Sequence, residues 1–238
     1  MPSGTKRSWP RRILRWLLLA GVAMTVLSVL LVLVLRFVAP PTSAFMLGRA
    51  IDAARSGDHD FRVSYRWTPI DNVSAQLPIA LVAAEDQKFP HHRGFDVEAI
   101  QDAMAEADDG ARMRGASTIS QQVAKNLFLW SGRSFVRKGF EVWFTVWIEA
   151  LWPKRRIIEV YLNIAEFGDG VYGAHAASER YFRIAPSALD AQQAALLAAV
   201  LPNPRKLHAQ NPSAYVQRRA AWIQRQMRQL GGTDYLED

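Results

Sequence analysis

The sequence predicts a mainly α-helical protein standing behind a single N-terminal transmembrane helix. Residues 16–35 form 20 consecutive positions without a charge, mostly Leu, Val and Ala. From Pro78 onward, apolar residues recur at helical spacing rather than in alternation. Beyond the apolar run about 190 residues remain, enough for one domain with a sizeable core.

At a rise of about 1.5 Å per residue, the uncharged run spans about 30 Å, the thickness of a bilayer's hydrocarbon core. Lys6, Arg7, Arg11, Arg12 and Arg15 precede it in a stretch with no acid, and Arg36 follows it. A cleaved signal peptide has a shorter apolar region, about 7–15 residues, and a small-residue cleavage site. Here the run is longer and ends at Arg36-Phe37-Val38-Ala39-Pro40-Pro41. Residues 16–36 therefore read as an uncleaved anchor. By the positive-inside rule the basic leader, residues 1–15, stays in the cytoplasm and the remainder lies across the membrane. The formal charge of +7 has five of its positive charges in that leader. The excess is a topology signal and does not call for a nucleic-acid partner. The chain has no cysteine, which excludes disulfides and thiolate metal sites without choosing a compartment.

Pro40-Pro41-Thr42-Ser43 is a stiff exit from the membrane. Residues 37–73 form a linker leading into the domain at 74–238. Residues 45–73 look irregular, with weak strand-like alternation at 61–67. Helices are expected at 96–107, at 117–130, and at 134–152 with a stop before Pro153. Further helices are expected at 154–165 and at 188–201, the latter ending at Pro202-Asn203-Pro204. The last is opened by Asn211-Pro212 and ends near Gly231-Gly232. Thr118 and Gln121 are spaced as a capping box for the second of these. Phe128, Leu129, Trp130, Trp143 and Trp147 are candidates for contact with the membrane interface.

Three stretches could carry chemistry. In Glu85-Asp86-Gln87-Lys88-Phe89-Pro90-His91-His92-Arg93-Gly94, an apolar segment delivers two adjacent carboxylates into a polar turn. A carboxylate at the edge of apolar packing gains proton affinity, which suits a general acid or base. An ordinary helix end bearing surface charges would read the same way. In the second stretch Ser117, Gln121 and Lys125 are four apart, on one expected helical face, with Gln122 and Asn126 beside them. Hydroxyl, amides and an ammonium suit sugar hydroxyls and a phosphate, and Arg133 follows in a short turn. The third holds Arg137, Lys138 and Glu141, with Arg137 and Glu141 one turn apart on a helix apolar nearly all round. A buried carboxylate there needs a partner. A purely structural ion pair and a functional one both fit. The stretches 154–168 and 194–202 read as an amphipathic helix ending at a glycine and a close-packed core helix.

Taken in order, these five stretches resemble the five motifs of the family-51 glycosyltransferases, from about Ile79 to Pro204. The first motif is matched by Glu85, Asp86, Phe89, His92, Gly94 and Asp96. The second is matched by Gly115, Ser117, Thr118, Ile119, Gln121, Gln122, Lys125 and Asn126. Arg137, Lys138 and Glu141 match the third; Lys154, Ile157, Glu159, Tyr161, Leu162 and Asn163 match the fourth. Ala116 stands where a second Gly is common, and Ile158 where Leu is usual; neither touches a chemical group.

The resemblance implies a lysozyme-like two-lobed glycosyltransferase domain in which lipid II is polymerised into β-1,4-linked glycan with release of undecaprenyl diphosphate. It implies Glu85 as general base and Glu141 as the second catalytic carboxylate. Asp86, His92, Ser117, Thr118, Gln121, Gln122, Lys125, Asn126, Arg133, Arg137 and Lys138 would bind substrate. Among them Lys125, Arg133, Arg137 and Lys138 would face the pyrophosphate leaving group. No cofactor is required, although a divalent cation (Mg or Mn) could assist at the pyrophosphate; the sequence shows no dedicated metal site. Implied partners are lipid II, the growing lipid-linked glycan, the membrane, and cell-wall synthesis or division proteins. The implied location is a bacterial inner membrane, with the catalytic domain periplasmic. A transpeptidase needs Ser-x-x-Lys with a Lys-Thr-Gly element. The only Ser-x-x-Lys is Ser3 to Lys6 in the leader, and no Lys-Thr-Gly exists, so a stand-alone transglycosylase is expected. A glycan-cleaving enzyme of the same fold and a non-enzymatic scaffold are the rival readings. The cation cluster argues against cleavage, since hydrolysis has no pyrophosphate to stabilise.

Overall fold

The computed structural model describes residues 9–108, 117–132 and 134–236. The first element is helix α1, Trp9–Leu35. It begins seven residues before the apolar run because Arg11, Arg12 and Arg15 are good helix formers that extend it. Most of its apolar side chains are exposed, whereas Val32 is wholly buried. Helix α2, Ala44–Arg55, follows, capped by Ser43. It corrects the irregular reading of 45–73; only Met46 and Ala53 of α2 are buried, too sparse a pattern to announce a helix.

The domain core is built on α3, Gln76–Glu85, in which every residue from Leu77 to Ala83 is buried. A helix apolar on all sides has no solvent face and must be surrounded. It is enclosed by α7, Lys154–Ile164, by α9, Ala191–Val200, and by α10, Ala214–Gln229. Ala194, Ala195, Ala198 and Ala199 of α9 are fully buried, and their small side chains let the two helices approach closely. α10 is capped by Ser213, two residues after the expected Asn211. Helices α4, Val97–Asp108, α5, Ile119–Phe128, and α6, Phe135–Leu151, complete the site-bearing part.

Of three short strands, the sequence signals only the first, which lies within the weak alternation at 61–67. Strands β1, Ser64–Tyr65, β2, Glu166–Gly168, and β3, Val171–Tyr172, form one sheet in the order β1-β3-β2. The residues of β2 and β3 are too few to show a period. Helix α8, Gly173–Phe182, packs beside them and is rich in small residues. The stretch 154–168 is thus a helix that ends at Ile164 and then enters a strand, not one that runs to the glycine.

The end of α1 is fastened to the domain. Trp143 Nε1 donates to Ser28 Oγ over 3.1 Å, and Trp152 Nε1 donates to the Val32 carbonyl over 2.7 Å. Arg156 donates to the Leu35 carbonyl over 2.8 and 3.1 Å and to the Val38 carbonyl over 2.8 Å. The Leu35 carbonyl is one that the helix end leaves without an intrahelical partner. Of the expected interfacial residues, Trp130 is exposed but Leu129 is buried, and Phe128 stacks on Phe144 with centroids 4.4 Å apart. Phe135, Val136, Val142 and Val146 are exposed instead.

Candidate active site

Burying α3 delivers its last residue, Glu85, to the rim of the core. Glu85 Oε2 accepts a hydrogen bond from Gln122 Nε2 at 3.0 Å, and Oε1 lies 3.6 Å from an Arg219 guanidinium nitrogen. Gln122 Oε1 in turn accepts from the Tyr161 hydroxyl at 3.0 Å. Burial pushes the Glu85 carboxyl above the ordinary range, opposed by the Gln122 hydrogen bond and then by Arg219 and Lys125. A cleft of about 360 Å³ opens at this carboxylate, lined among others by Lys88, Asp96, Asp102, Ser117 and Trp222.

Asp86 also borders this cleft, but it is buried and its carboxylate is committed to hydrogen bonds within the fold. Its Oδ2 accepts the Ile119 amide at 2.8 Å, the first helical N–H of α5, where an anion also meets the positive end of the helix dipole. Both carboxylate oxygens lie within 3.0 Å of His92 Nε2. The Gly94 amide donates to His92 Nδ1 at 3.0 Å, so Nε2 carries the proton directed at Asp86. Gly94 has φ +88°, and a Cβ there would stand 2.8 Å from Thr145 Cγ2. Its carbonyl accepts from the Thr118 hydroxyl at 2.7 Å. Asp86, His92 and Thr118 therefore lock the start of α5 against the end of α3.

α5 begins with the expected capping box: Gln121 N–H donates to Thr118 Oγ1, and Thr118 N–H donates to Gln121 Oε1. This corrects the shared face of Ser117, Gln121 and Lys125. Ser117 precedes the helix and is exposed on the cleft, and the Gln121 amide is buried in the cap. One amide cannot both close the cap and project with Lys125.

On the other side of α5 stands a cationic group. Lys125 is half-buried, its ammonium 5.7 Å from the Phe45 ring centroid. Burial lowers its pKa; Glu141 and Glu85 raise it, while Arg137 and Lys138 lower it further. Ser134 caps α6 and accepts the Arg137 amide at 3.1 Å. One turn on, the Arg137 guanidinium donates to Glu141 Oε2 at 2.7 Å, and Lys138 pairs with Glu141 Oε1. Glu141 is 3% exposed, so both cations compensate a carboxylate withdrawn from water. Asn126 Oδ1 and Arg137 Nε are buried without a hydrogen-bond partner among the described residues. Such groups are costly unless something supplies the missing bond. Arg133 lies outside the described residues.

The structure thus brings Glu85, Gln122 and Lys125 together, gathers Arg137, Lys138 and Glu141, and gives Asp86, His92, Thr118 and Gln121 bonding partners within the fold. Arg219, Trp222 and Tyr161 were not read as site residues. Nothing in local spacing links Arg219 or Trp222 of α10 to Glu85. Tyr161 sat in a stretch read as structural, although a tyrosine buried at 1% exposure needs a partner for its hydroxyl.

Comparison with known proteins follows this geometry. The family described as Transglycosylase matches residues 54–228. The chain is 56% identical over 227 residues to a biosynthetic peptidoglycan transglycosylase of Xanthomonas axonopodis pv. citri, covering 95% of the chain and 92% of that relative. It is 57% identical over 226 residues to the protein of that name from Xanthomonas oryzae pv. oryzae, covering 95% and 92%. It is 55% identical over 229 residues to that from Xylella fastidiosa strain M12, covering 96% and 93%.

Proposed function

The chain belongs to the transglycosylase family and is a peptidoglycan glycosyltransferase, and from that premise we propose that it polymerises lipid II into β-1,4-linked glycan, releasing undecaprenyl diphosphate. The observation that carries this reading is the placement of Glu85. It lines an open cleft, and it feels the charge of Lys125, which in turn feels Glu141, Arg137 and Lys138.

The acceptor's C4 hydroxyl approaches Glu85 from the cleft. The carboxylate, raised in proton affinity by burial, takes the hydroxyl proton as the oxygen attacks C1 of the donor sugar. The C1–O bond to the pyrophosphate breaks on the opposite face, so the anomeric centre inverts from α to β. Negative charge then grows on the leaving pyrophosphate, where fixed cations act with little reorganisation. Lys125 and Arg137 are nearest to that duty, with Lys138 and Arg133 as further cations. Among the described residues Arg137 Nε offers an unfilled donor and Asn126 Oδ1 an unfilled acceptor for phosphate and sugar groups. Glu141 holds Arg137 and Lys138 in place. Asp86, His92, Thr118 and Gln121 keep the α3–α5 junction rigid. The sequence has no Lys-Thr-Gly element, and the reaction proposed is polymerisation without transpeptidation.

No group of three or more His, Asp or Glu able to hold a metal occurs among the described residues. A divalent cation would arrive on the substrate's pyrophosphate, and no step is drawn through it. The anchor keeps the enzyme in the leaflet that confines both lipid-tailed substrates, with the domain in the periplasm and cell-wall synthesis or division proteins as neighbours. The test is incubation of the purified full-length protein with lipid II and sizing of the product. Lengthening glycan is expected; unchanged lipid II would overturn the reading, and release of anhydro-sugars from purified cell wall would point to cleavage.

A further inference from the structure

Glu85 is the residue on which the proposed chemistry turns, yet among the described residues its carboxylate accepts one hydrogen bond, from an amide that could face it either way. The terminal oxygen and nitrogen of a glutamine exchange places by a simple rotation, and only the nitrogen can donate to a carboxylate. What fixes Gln122 is its far side, where the buried Tyr161 hydroxyl donates to Oε1 at 3.0 Å, its one acceptor among the described residues, so that a flipped amide would leave the phenol proton without a partner. With that oxygen occupied, Nε2 is turned to Glu85 Oε2 at 3.0 Å. The three side chains come from α7, α5 and α3. The α5–α7 and α3–α7 contacts set their spacing.

We propose that Tyr161 is a positioning residue for Glu85, acting through Gln122 to hold the carboxylate in its ionised, proton-accepting form. This rests on the reading of Glu85 as general base. Tyr161 touches neither cleft nor cation group; its effect is wholly on which end of the Gln122 amide faces Glu85. Remove the hydroxyl and the amide can present Oε1, which accepts a hydrogen bond from a protonated Glu85 and so favours the wrong state of a base. The device is dependable because Tyr161 remains a phenol at any pH of interest. Burial, and then the charges of Glu85 and Asp86, push its pKa well above the ordinary value.

The other charged groups facing Glu85 are Arg219 from α10, Lys125 from α5 and its neighbour Asp86. Arg219 and Lys125 favour the carboxylate and Asp86 disfavours it. None depends on the orientation of the Gln122 amide, so the contribution of the relay is separable from theirs.

The experiment uses full-length protein in detergent carrying ¹³C-labelled glutamate, with the Glu85 signal assigned by its loss in Glu85→Gln. In Tyr161→Phe the Glu85 titration midpoint should rise by about half a pH unit or more, the size expected for loss of one neutral hydrogen bond. Gln122→Ala should raise it as well. In the double variant, Tyr161→Phe should add nothing, since its route runs through Gln122. An unmoved midpoint in Tyr161→Phe, or full additivity in the double variant, would overturn the relay. Polymerisation gives the second readout. The acid limb of kcat/KM should move upward with the midpoint, while kcat on the alkaline side of the limb and KM for lipid II stay near wild type. A midpoint that moves while the limb does not would leave the relay standing and remove Glu85 from the role of base. Tyr161→Phe keeps the buried ring, and Gln122→Ala reports the same link from the other end should the first variant fold poorly.

Discussion

The indole N–H of Trp152 points at the main-chain carbonyl of Val32, 2.7 Å away, and joins the domain to the last turn of its own anchor. Val32 is wholly buried there, and Arg156 covers the carbonyls of Leu35 and Val38 just beyond. The anchor is therefore part tether and part core. Deletion of residues up to Leu27 should leave thermal stability unchanged, because the described side chains between Trp9 and Leu27 are almost all exposed. Deletion up to Arg36 should lower it, since a buried valine alone contributes about 1.5–3 kcal/mol. Trp152→Phe should cost about 0.5–1.5 kcal/mol, read as a fall of a few degrees in Tm. Equal stability for the two truncations would show that the docking contributes nothing.

Asp86 also holds two parts of the fold together, and its replacement should be felt as stability before activity. Asp86→Ala removes an acceptor from the Ile119 amide and leaves His92 Nε2 without its partner. Loss of a helix-capping acceptor costs about 0.5–2 kcal/mol, and the orphaned imidazole adds to it. Denaturant midpoints for Asp86→Ala and Asp86→Asn would show this, with Asn the milder because its oxygen can still accept from Ile119. A normal midpoint in Asp86→Ala would free this carboxylate for direct contact with substrate.

Lys125 and Glu85 should bound the pH profile from its two sides. Burial raises the proton affinity of Glu85 and lowers that of Lys125, so the window in which one is a base and the other a cation is narrower than ordinary values would give. Activity falls on the acid side as pH drops through the raised Glu85 value. It falls on the alkaline side as pH rises through the lowered Lys125 value. Lys125→Arg, which remains charged, should move the alkaline limb upward. Lys125→Met should slow turnover at least about tenfold, roughly 1.4 kcal/mol of transition-state stabilisation. A lysine whose native pKa is lowered destabilises the fold while charged. Lys125→Met should therefore be the more stable protein at neutral pH, by a margin that fades as pH rises toward the ordinary lysine value. An alkaline limb unmoved in Lys125→Arg would place the titrating cation elsewhere.

These groups differ in how far the sequence disclosed them. The pairing of Arg137 with Glu141 was legible because a four-residue spacing puts both on one helical face. So was the Thr118–Gln121 box, whose residue types and spacing are themselves the signal. Spacing alone also puts Gln121 beside Lys125, but its amide is already engaged in closing the box. Arg219 and Trp222 were invisible for another reason. Periodicity reports neighbours within a helix, and α10 meets α3 only through packing of the folded chain. Helix α2 hid in its sparse burial, and α8 among small residues with no broad apolar stripe.

Glu85 and Glu141 are both carboxylates of the proposed site, yet their surroundings assign them different work, the first as base and the second in positioning Arg137 and Lys138. Glu85 has one amide donor, a guanidinium at 3.6 Å and an open cleft. Glu141 is closed off and engaged by Arg137 and Lys138. A base must accept a proton, and glutamine cannot, although it keeps the size and hydrogen-bonding outline of glutamate. Glu85→Gln should abolish polymerisation while binding of a lipid II analogue survives. It should also be at least as stable as wild type at neutral pH, because a buried charge is removed. A carboxyl with a raised native pKa weakens the fold as pH rises through the interval between its unfolded and native values, so that advantage should vanish in acid. Glu141→Gln keeps one acceptor for Arg137 but loses the charge balancing two cations, and should lower both stability and rate while leaving a trace of product. Glycan sizing beside analogue binding and thermal melts at two pH values separates these outcomes. Normal glycan synthesis by Glu85→Gln would end its assignment as the base, and equal loss of binding in both variants would make the two carboxylates partners in holding substrate instead.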